Sequence, residues 1–459
     1  MQFKKSALWK DINDVTTTGS YHYTGMWLMT IHTSKSNFKP LYLTNIDFKY
    51  DFVNEVSEVV MVSFVIDRGA YLYDLYPHLH NLEVTLERFV HNAPDPKKAI
   101  TKPTFKQKYK AIYLPELNHR PRGTEEEFAD KTSLSILPPV TATLQLMNLH
   151  VEPLRIKMAS GIIKGFDNTT NIKAFLHSEL DKVSLPTGKV IDVVDVAPAD
   201  NKTPVRHFII PSNTSLLSVP SIAQEQLMGM YNGGFGTFVT KVKDYKTNKM
   251  ISKFYVYPTH KPVTNRQDII LYAMPSFMLA YNENTFKISG KHLKIVGHVN
   301  GSYKEDDKTK TLERGIGFRM PNAKSFMKKP VIMTASGPVG SEEKLNYKVA
   351  ITSRADQNNI ARRDGQYNAS ANPFRKYSDL VKQVGNYVSF VWQYSDHTLL
   401  EPSMPVTLYY LNSENKTTKV KGVLTQFNTV IQSKGTGMVN RAGFTEITIL
   451  RFYLSDYLS

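Results

Sequence analysis

The chain contains no cysteine in 459 residues. That absence excludes disulfide staples, thiolate nucleophiles, cysteine-ligated zinc and iron–sulfur clusters. No apolar run approaches the ~20 residues that a membrane-spanning helix needs. A secretory h-region is missing after Lys4 and Lys5, because Trp9 is followed at once by Lys10 and Asp11. The expectation is a protein made and used without Sec-type export. Catalytic signatures are also missing: there is no nucleophile elbow, zincin motif or kinase set, and no Ser/His/Asp or two-carboxylate arrangement stands out. The pattern points away from an enzyme.

What is present is an ordinary globular composition, 41% hydrophobic and 21% charged, too polar for an integral membrane protein and too apolar for extended disorder. Lys and Arg number 57 against 41 Asp and Glu, giving a net charge of +16. Such an excess favours acidic partners, nucleic acid or an acidic protein face, and also serves solubility. At about 150 residues per domain the length suggests three domains.

Aromatic residues are 11% of the chain, and Tyr and Phe recur in short alternating apolar segments, a β-rich signature. Leu41 to Tyr50, Val59 to Ile66 and Leu82 to Val90 read as strands. In the last, Leu82, Val84 and Leu86 face one side and Glu83, Thr85 and Glu87 the other. Residues 1–158 therefore read as a mostly antiparallel β domain. His91 to Asp130 forms a hairpin with a long polar excursion around a strand at Tyr109 to Leu114, and Thr141 to Val151 closes the domain.

The period then changes. Asn168 or Thr169 can cap a helix to about Val183, and Val219 to Tyr231 carries a second apolar stripe with Pro220 in its first turn. Strands follow at Thr237 to Lys241 and Lys253 to Tyr257, so residues 159–262 read as a mixed α/β insert. Residues 263–459 are again β-rich, with strands at Leu293 to Val299, Val331 to Ala335 and Tyr347 to Thr352. Helical spacing of Tyr377, Leu380, Val381, Val384, Tyr387 and Val388 predicts a helix near 374–390. Pro405 to Leu411, Thr418 to Val430 and Phe444 to Leu454 finish the chain as strands.

Few groups suggest chemistry. His78 and His80 form a His-x-His pair; on a strand both rings would point one way and could hold a metal, but two ligands do not make a site, and a turn with solvated histidines fits as well. Gly229 to Gly236 is glycine-dense, yet it lacks the Lys-Ser/Thr of a P-loop and follows a helix, so it reads as a turn into a strand. Glu305, Asp306 and Asp307, flanked by lysines, read as a hairpin tip. No cofactor or metal is expected. The basic residues Arg354, Arg362, Arg363, Arg375 and Lys376 surround a Gly- and Asn-rich stretch; such a loop could line a channel or contact phosphates, or be solvated surface.

The order β domain, α/β insert, β domain resembles the baseplate or tail hub proteins of contractile-tailed bacteriophages. Ile46 to Phe52, Val59 to Ile66 and Asn81 to Leu86 look like their first tube-like barrel. Ile210 to Ser212, Leu216 to Ile222, Met230 to Phe238 and Lys253 to Pro258 look like their central insert, and Glu401 to Leu408, Lys421 to Leu424 and Glu446 to Ile449 like their final barrel strands. The stretch Thr264 to Asn372 matches least.

The resemblance implies an α+β, β-rich fold with two antiparallel tube-like β-barrel domains flanking a small α/β insert. It implies a non-catalytic virion structural protein, assembled in the host cytoplasm and located in the tail or baseplate. As a homotrimeric hub it would connect the tail tube protein to the central spike protein, touch neighbouring baseplate proteins, enclose the conduit for transient passage of phage DNA, and take no small-molecule substrate. The five basic residues would then face that lumen. The alternatives are a basic nucleic-acid-binding protein or enzyme, whose duplex affinity would fall steeply with salt, and a polysaccharide-processing enzyme built on two carboxylates.

Overall fold

In the computed structural model, which describes residues 6–19, 26–89, 103–114, 139–163, 168–185, 188–202, 207–226, 229–244, 246–247, 249–275, 284–304, 386–412, 416–433 and 444–454, the alternating segments become long paired strands. Helix α1 (Ala7–Thr18) precedes them, its first turn capped by the Ser6 side chain accepting from the Trp9 amide. The first region then supplies β1 (Met26–His32), β2 (Asn37–Phe38), β3 (Tyr42–Asp51), β4 (Val59–Ile66), β5 (Leu82–Phe89), β6 (Phe105–Tyr113) and β7 (Val140–Asn148). Helical turns over residues 68–81 connect β4 to β5.

The insert contributes α2 (Val151–Ile156), β8 (Met158–Ile163), α3 (Asn168–Leu180), β9 (Ser184–Leu185), β10 (Gly188–Lys189), β11 (Val193–Val196), β12 (Phe208–Ser215), α4 (Val219–Gln226), β13 (Gly236–Lys243) and β14 (Met250–Tyr257). Its sheet has the order β11-β14-β13, with β11 parallel and β13 antiparallel to β14; β8 and β12 form a separate two-stranded ribbon. The last region holds β15 (Asp268–Ala273), β16 (Phe286–Ser289), β17 (His292–Lys304), β18 (Asn386–Gln393), β19 (Pro405–Leu411), β20 (Thr417–Ser433) and β21 (Phe444–Leu454).

Six of these strands close a barrel in the order β19-β15-β17-β18-β21-β20, with β20 pairing back onto β19. From β20 the same hydrogen-bonded sheet continues outward as β3-β4-β7-β6-β5-β1-β2. Strand β20 is 17 residues long and belongs to both units. Residues Thr417 to Val423 pair with β19 and Gln426 to Gln432 pair with β3, while β21 runs along the other edge. The change of neighbour falls at a bulge between Leu424 and Gln426, where Thr425 accepts the Phe52 amide and its hydroxyl donates to the Arg451 carbonyl. A bulge re-aims a strand and raises its twist, which is what passing from one unit to the next requires.

Three differences from the sequence reading follow. The expectation of two antiparallel barrels becomes one closed barrel joined to a curled sheet. In the latter, Trp27 on β1 faces Phe48 on β3 at 5.7 Å across the interior, without a β1–β3 ladder among the described residues. The closed barrel is also mixed, because β15 runs parallel to both β17 and β19. Residues Asn386–Gln393 are a strand paired with β17 and β21, so Tyr387 and Val388, assigned to a helix from their spacing, are buried strand residues. Residues 374–385 of that expected helix and the strands expected at Val331 to Ala335 and Tyr347 to Thr352 lie outside the described residues.

One continuous core runs through both units and the insert, rich in rings such as Phe48, Phe52, Phe64, Phe105, Tyr255 and Tyr257. Each such side chain removed from water contributes about 1.5–3 kcal/mol. On the outside of the barrel, Leu8, Ile12 and Val15 of α1 cover Tyr272, Met274 and Val296. Asp14 pins that helix through ion pairs to Lys287 at 3.0 Å and Lys294 at 3.8 Å.

Candidate functional site

The residues singled out for phosphate or lumen contact, Arg354, Arg362, Arg363, Arg375 and Lys376, lie outside the described residues, as do Glu305, Asp306 and Asp307. His78 and His80 sit in a helical turn, Tyr76–Asn81, rather than on a strand, and no group of three or more metal-ligating side chains converges among the described residues. The glycine-dense segment is a turn held from outside. Gln224 accepts from the Met230 and Tyr231 amides at 2.8 and 3.0 Å and donates back to the Tyr231 carbonyl. Gly234 takes a φ of +84°, which favours glycine. Strand β6 is the nearest thing to a basic stripe, and it is matched: Lys106 and Lys108 pair with Glu87 and Glu83 of β5, and Lys110 pairs with Glu152.

The groups the tertiary structure does bring together are buried. Arg88 occupies the next core-facing position of β5 after Leu82, Val84 and Leu86. Its Nε donates to Glu446 Oε1 at 2.9 Å, its Nη1 to Asp396 at 3.0 Å and its Nη2 to the Ser395 carbonyl at 3.2 Å. The Trp27 indole donates to the same Glu446 oxygen at 3.0 Å, and Lys243 of β13 stands 3.6 Å from Asp396. Burial pulls the Arg88 pKa down, but Glu446 and Asp396 outweigh it and hold the guanidinium above its ordinary value. His397 beside it lies 4.7 Å from the Phe48 ring, with no hydrogen bond to either ring nitrogen. Burial and the Arg88 charge push its pKa down to about 3, so the ring is neutral.

A second buried arginine, Arg266, joins the insert to the barrel. Its guanidinium lies 5.0 Å from the Tyr255 ring centre and 5.5 Å from that of Tyr257, donates to the Pro402 carbonyl and stands 3.4 Å from Asp195. A third cluster lies where the chain between β3 and β4 meets β13: the Val239 amide donates to Val56 at 2.8 Å and Ser57 bridges Val239. Glu58 is buried there, accepting from Gln107 and Asn148 at 3.0 Å each. Arg88, Arg266 and Glu58 at the centres of the three clusters are buried. Their chemistry is to lock elements together.

The outside offers a different feature. On the β8–β12 ribbon Ile162 and Ile209 are cross-strand partners and are 63% and 59% exposed, while Met158, at the start of β8, is 54% exposed and Ile156, at the end of α2, 65%. A cross-strand pair of exposed isoleucines is the kind of surface that marks an interaction site. The β12 half of the ribbon belongs to the words quoted for the insert, Ile210 to Ser212, but its outward apolar face was not read from sequence. Strict alternation Met158, Ser160, Ile162 on one edge and Ile209 opposite is the signal that carries it.

Neither a comparison with protein families nor a search of curated proteins finds a match for this chain. Solved structures are matched over most of this chain. The tail protein from Neisseria meningitidis MC58 is 11% identical, with 94% of this chain and 98% of that one covered and a TM-score of 0.42. The 43 kDa tail protein of prophage MuSo2 from Shewanella oneidensis is 7% identical over 94% and 100% of the two chains, TM-score 0.42. A chain of the Francisella PdpA–VgrG complex is 8% identical over 96% and 54%, TM-score 0.39.

Proposed function

We propose that this chain is a structural protein of a phage tail or tail-like injection machine, and that within it the chain is the hub between tail tube and central spike. The observation that carries the reading is β20, one strand shared by a closed barrel and a curled sheet. It sets two strand units side by side in a single chain. Three copies would place six units around a ring, matching the six-fold tube and three-fold spike implied by the sequence resemblance, and ring closure would also cover open strand edges. In this proposal the domains are 1–158, 159–262 and 263–459, the homotrimer encloses the DNA conduit, and assembly takes place in the host cytoplasm before the tail acts. No catalytic role is assigned.

The exposed Ile162–Ile209 pair supports an assembled state, since large aliphatic side chains left in water favour association. Light scattering of the full chain, alone and mixed with its spike partner, tests the proposal. The expected result is three copies per particle in at least one of the two samples. A monomer in both overturns it.

A further inference from the structure

The insert lies across one end of both strand units. On the curled sheet it meets the turn between β3 and β4, where Phe238 packs edge to face on Phe52 at 4.8 Å and the Val56 carbonyl accepts the Val239 amide. On the closed barrel it reaches the chain just before β19, through Lys253 to Glu401 at 3.0 Å and Arg266 to the Pro402 carbonyl. The opposite end of the curled sheet, where β3 starts and β4 stops, is formed among the described residues by the turns at 39–41 and 67–81. A ring of three chains therefore carries three inserts at one end, whereas the two units of each chain offer six contacts at the other. A six-fold partner needs six like contacts and a three-fold partner three. The insert end suits the three-fold one.

The part of the insert left bare is the β8–β12 ribbon. Its inner residues Ala159, Phe208 and Ile210 join the core, while Ile162 and Ile209 face each other across the two strands on the exposed side, with Met158 and Ser160 on that same face of β8. A two-stranded ribbon is marginal in water unless its faces are covered, and here the insert covers one. Among the described residues both strands are free at their outer edges, and neither carries a charge in a chain that is 21% charged. The end of the large sheet, by contrast, is guarded: β2 is two residues long and is followed by Lys39 and Pro40. On β12 a bulge with Asn213 at φ +63° interrupts the pairing after Ile210, so the unguarded part centres on the Ile162–Ile209 pair.

An uncharged centre with a polar rim is the anatomy of an interface. The rim here is basic. Arg155, exposed just before the ribbon, has no ion-pair partner among the described residues, and Lys157 stands a loose 3.9 Å from Glu179. A second copy of the chain, equally basic there, would be repelled, whereas an apolar surface ringed by acidic groups would be held.

We propose that the outer face of the β8–β12 ribbon is the docking surface for the central spike, seating an uncharged aliphatic patch of that partner on Ile162 and Ile209 and acidic side chains beside Arg155. The assignment rests on the hub reading, because that reading supplies the ring of three.

The test mixes the full chain with purified spike protein of the same tail and follows complex formation by light scattering and sedimentation. The natural protein is expected to bind, and Ile162→Asp combined with Ile209→Asp to weaken binding by about tenfold or more, since each would bury an unpaired charge. Tyr73→Asp places a charge at the opposite end, where Tyr73 is 45% exposed, and is expected to leave binding unchanged. Equal binding by the natural protein and the ribbon variant overturns the docking surface and leaves the hub reading standing; no binding by the natural protein overturns both. The cysteine-free chain allows a second measurement, because Ser160→Cys introduces its sole thiol on the exposed face of β8. Adding spike is expected to slow maleimide labelling of that thiol by about tenfold or more. Unchanged labelling in a complex that has formed overturns the docking surface.

Discussion

Arg88 and Glu446 stand 358 residues apart in sequence and 2.9 Å apart in space, Nε to Oε1. Arg88 is on β5, near one end of the curled sheet, and Glu446 is on β21, next to the shared strand β20 at the other. The pair therefore does with charge what a ladder between β1 and β3 would do with backbone: it draws the two ends of the sheet around one core. Asp396 and the Ser395 carbonyl accept from the other Arg88 nitrogens and the Trp27 indole donates to the same Glu446 oxygen, so the charges are partnered rather than merely buried.

Replacing Arg88 with Met leaves Glu446 and Asp396 buried without a cation. The expected loss in unfolding free energy is about 3–5 kcal/mol, larger than an ordinary core substitution. Adding Glu446→Gln to Arg88→Met should restore part of it. Urea denaturation of the two variants against the natural protein measures both effects.

His397 is held neutral by burial and by the Arg88 charge, with a folded pKa near 3. An unfolded histidine takes up a proton from about pH 6.5 downward, so this residue contributes stability above that value that is lost as pH falls toward 3, by up to about 1.4 kcal/mol per pH unit. His397→Phe should flatten the acid limb of a plot of melting temperature against pH. Glu58, whose pKa burial raises to about 7, acts in the opposite direction over part of the same range, and only the variant separates the two.

Gly234 sits at φ +84°, and a Cβ there would press on the Thr259 hydroxyl and the His260 ring. Gly234→Ala is expected to lower stability by at least about 1–3 kcal/mol through strain alone. Thermal unfolding checks this, with Gly290→Ala as a comparison. That position also has a positive φ, but open space lies around it.

Ile162→Asp and Ile209→Asp place charge on the ribbon without touching the core, as both side chains are more than half exposed. Single-chain stability should change by less than about 0.5 kcal/mol. If the ribbon is an assembly face, the particle mass in light scattering should drop. An unchanged mass would remove the ribbon from the contact.

Strand assignment was readable wherever apolar and polar residues alternate with turns between them: Pro405–Leu411 and Phe444–Leu454 match the sequence reading residue for residue. Helix α1 was not read, although Leu8, Ile12 and Val15 have helical spacing, because charged Lys10 and Asp11 interrupt the apolar run. The helix near 374–390 fails at its end, where Tyr387 and Val388 satisfy helical spacing and are nonetheless strand residues between β17 and β21. Four-residue apolar spacing does not separate the two states when both faces of a strand are buried.

The locking residues were in view but unweighted. Arg88 continues the Leu82, Val84, Leu86 face, and Glu446 shares the buried face of Phe444 and Leu450. A charge in a core-facing register is a signal that a partner is required, yet period-2 patterning does not say which strand supplies it.

The sequence by itself determined the β-rich character and the absence of cysteine chemistry, because each depends on local pattern or composition. Only the tertiary structure decided that β20 serves two units, that β15 runs parallel inside the barrel, that Arg88 meets Glu446 and that Glu58 is buried where it accepts from Gln107 of β6 and Asn148 of β7. Those are pairings between residues far apart in the chain. Strand register and the balance between desolvation and partnering are settled by which surfaces meet, and local propensity carries no record of that.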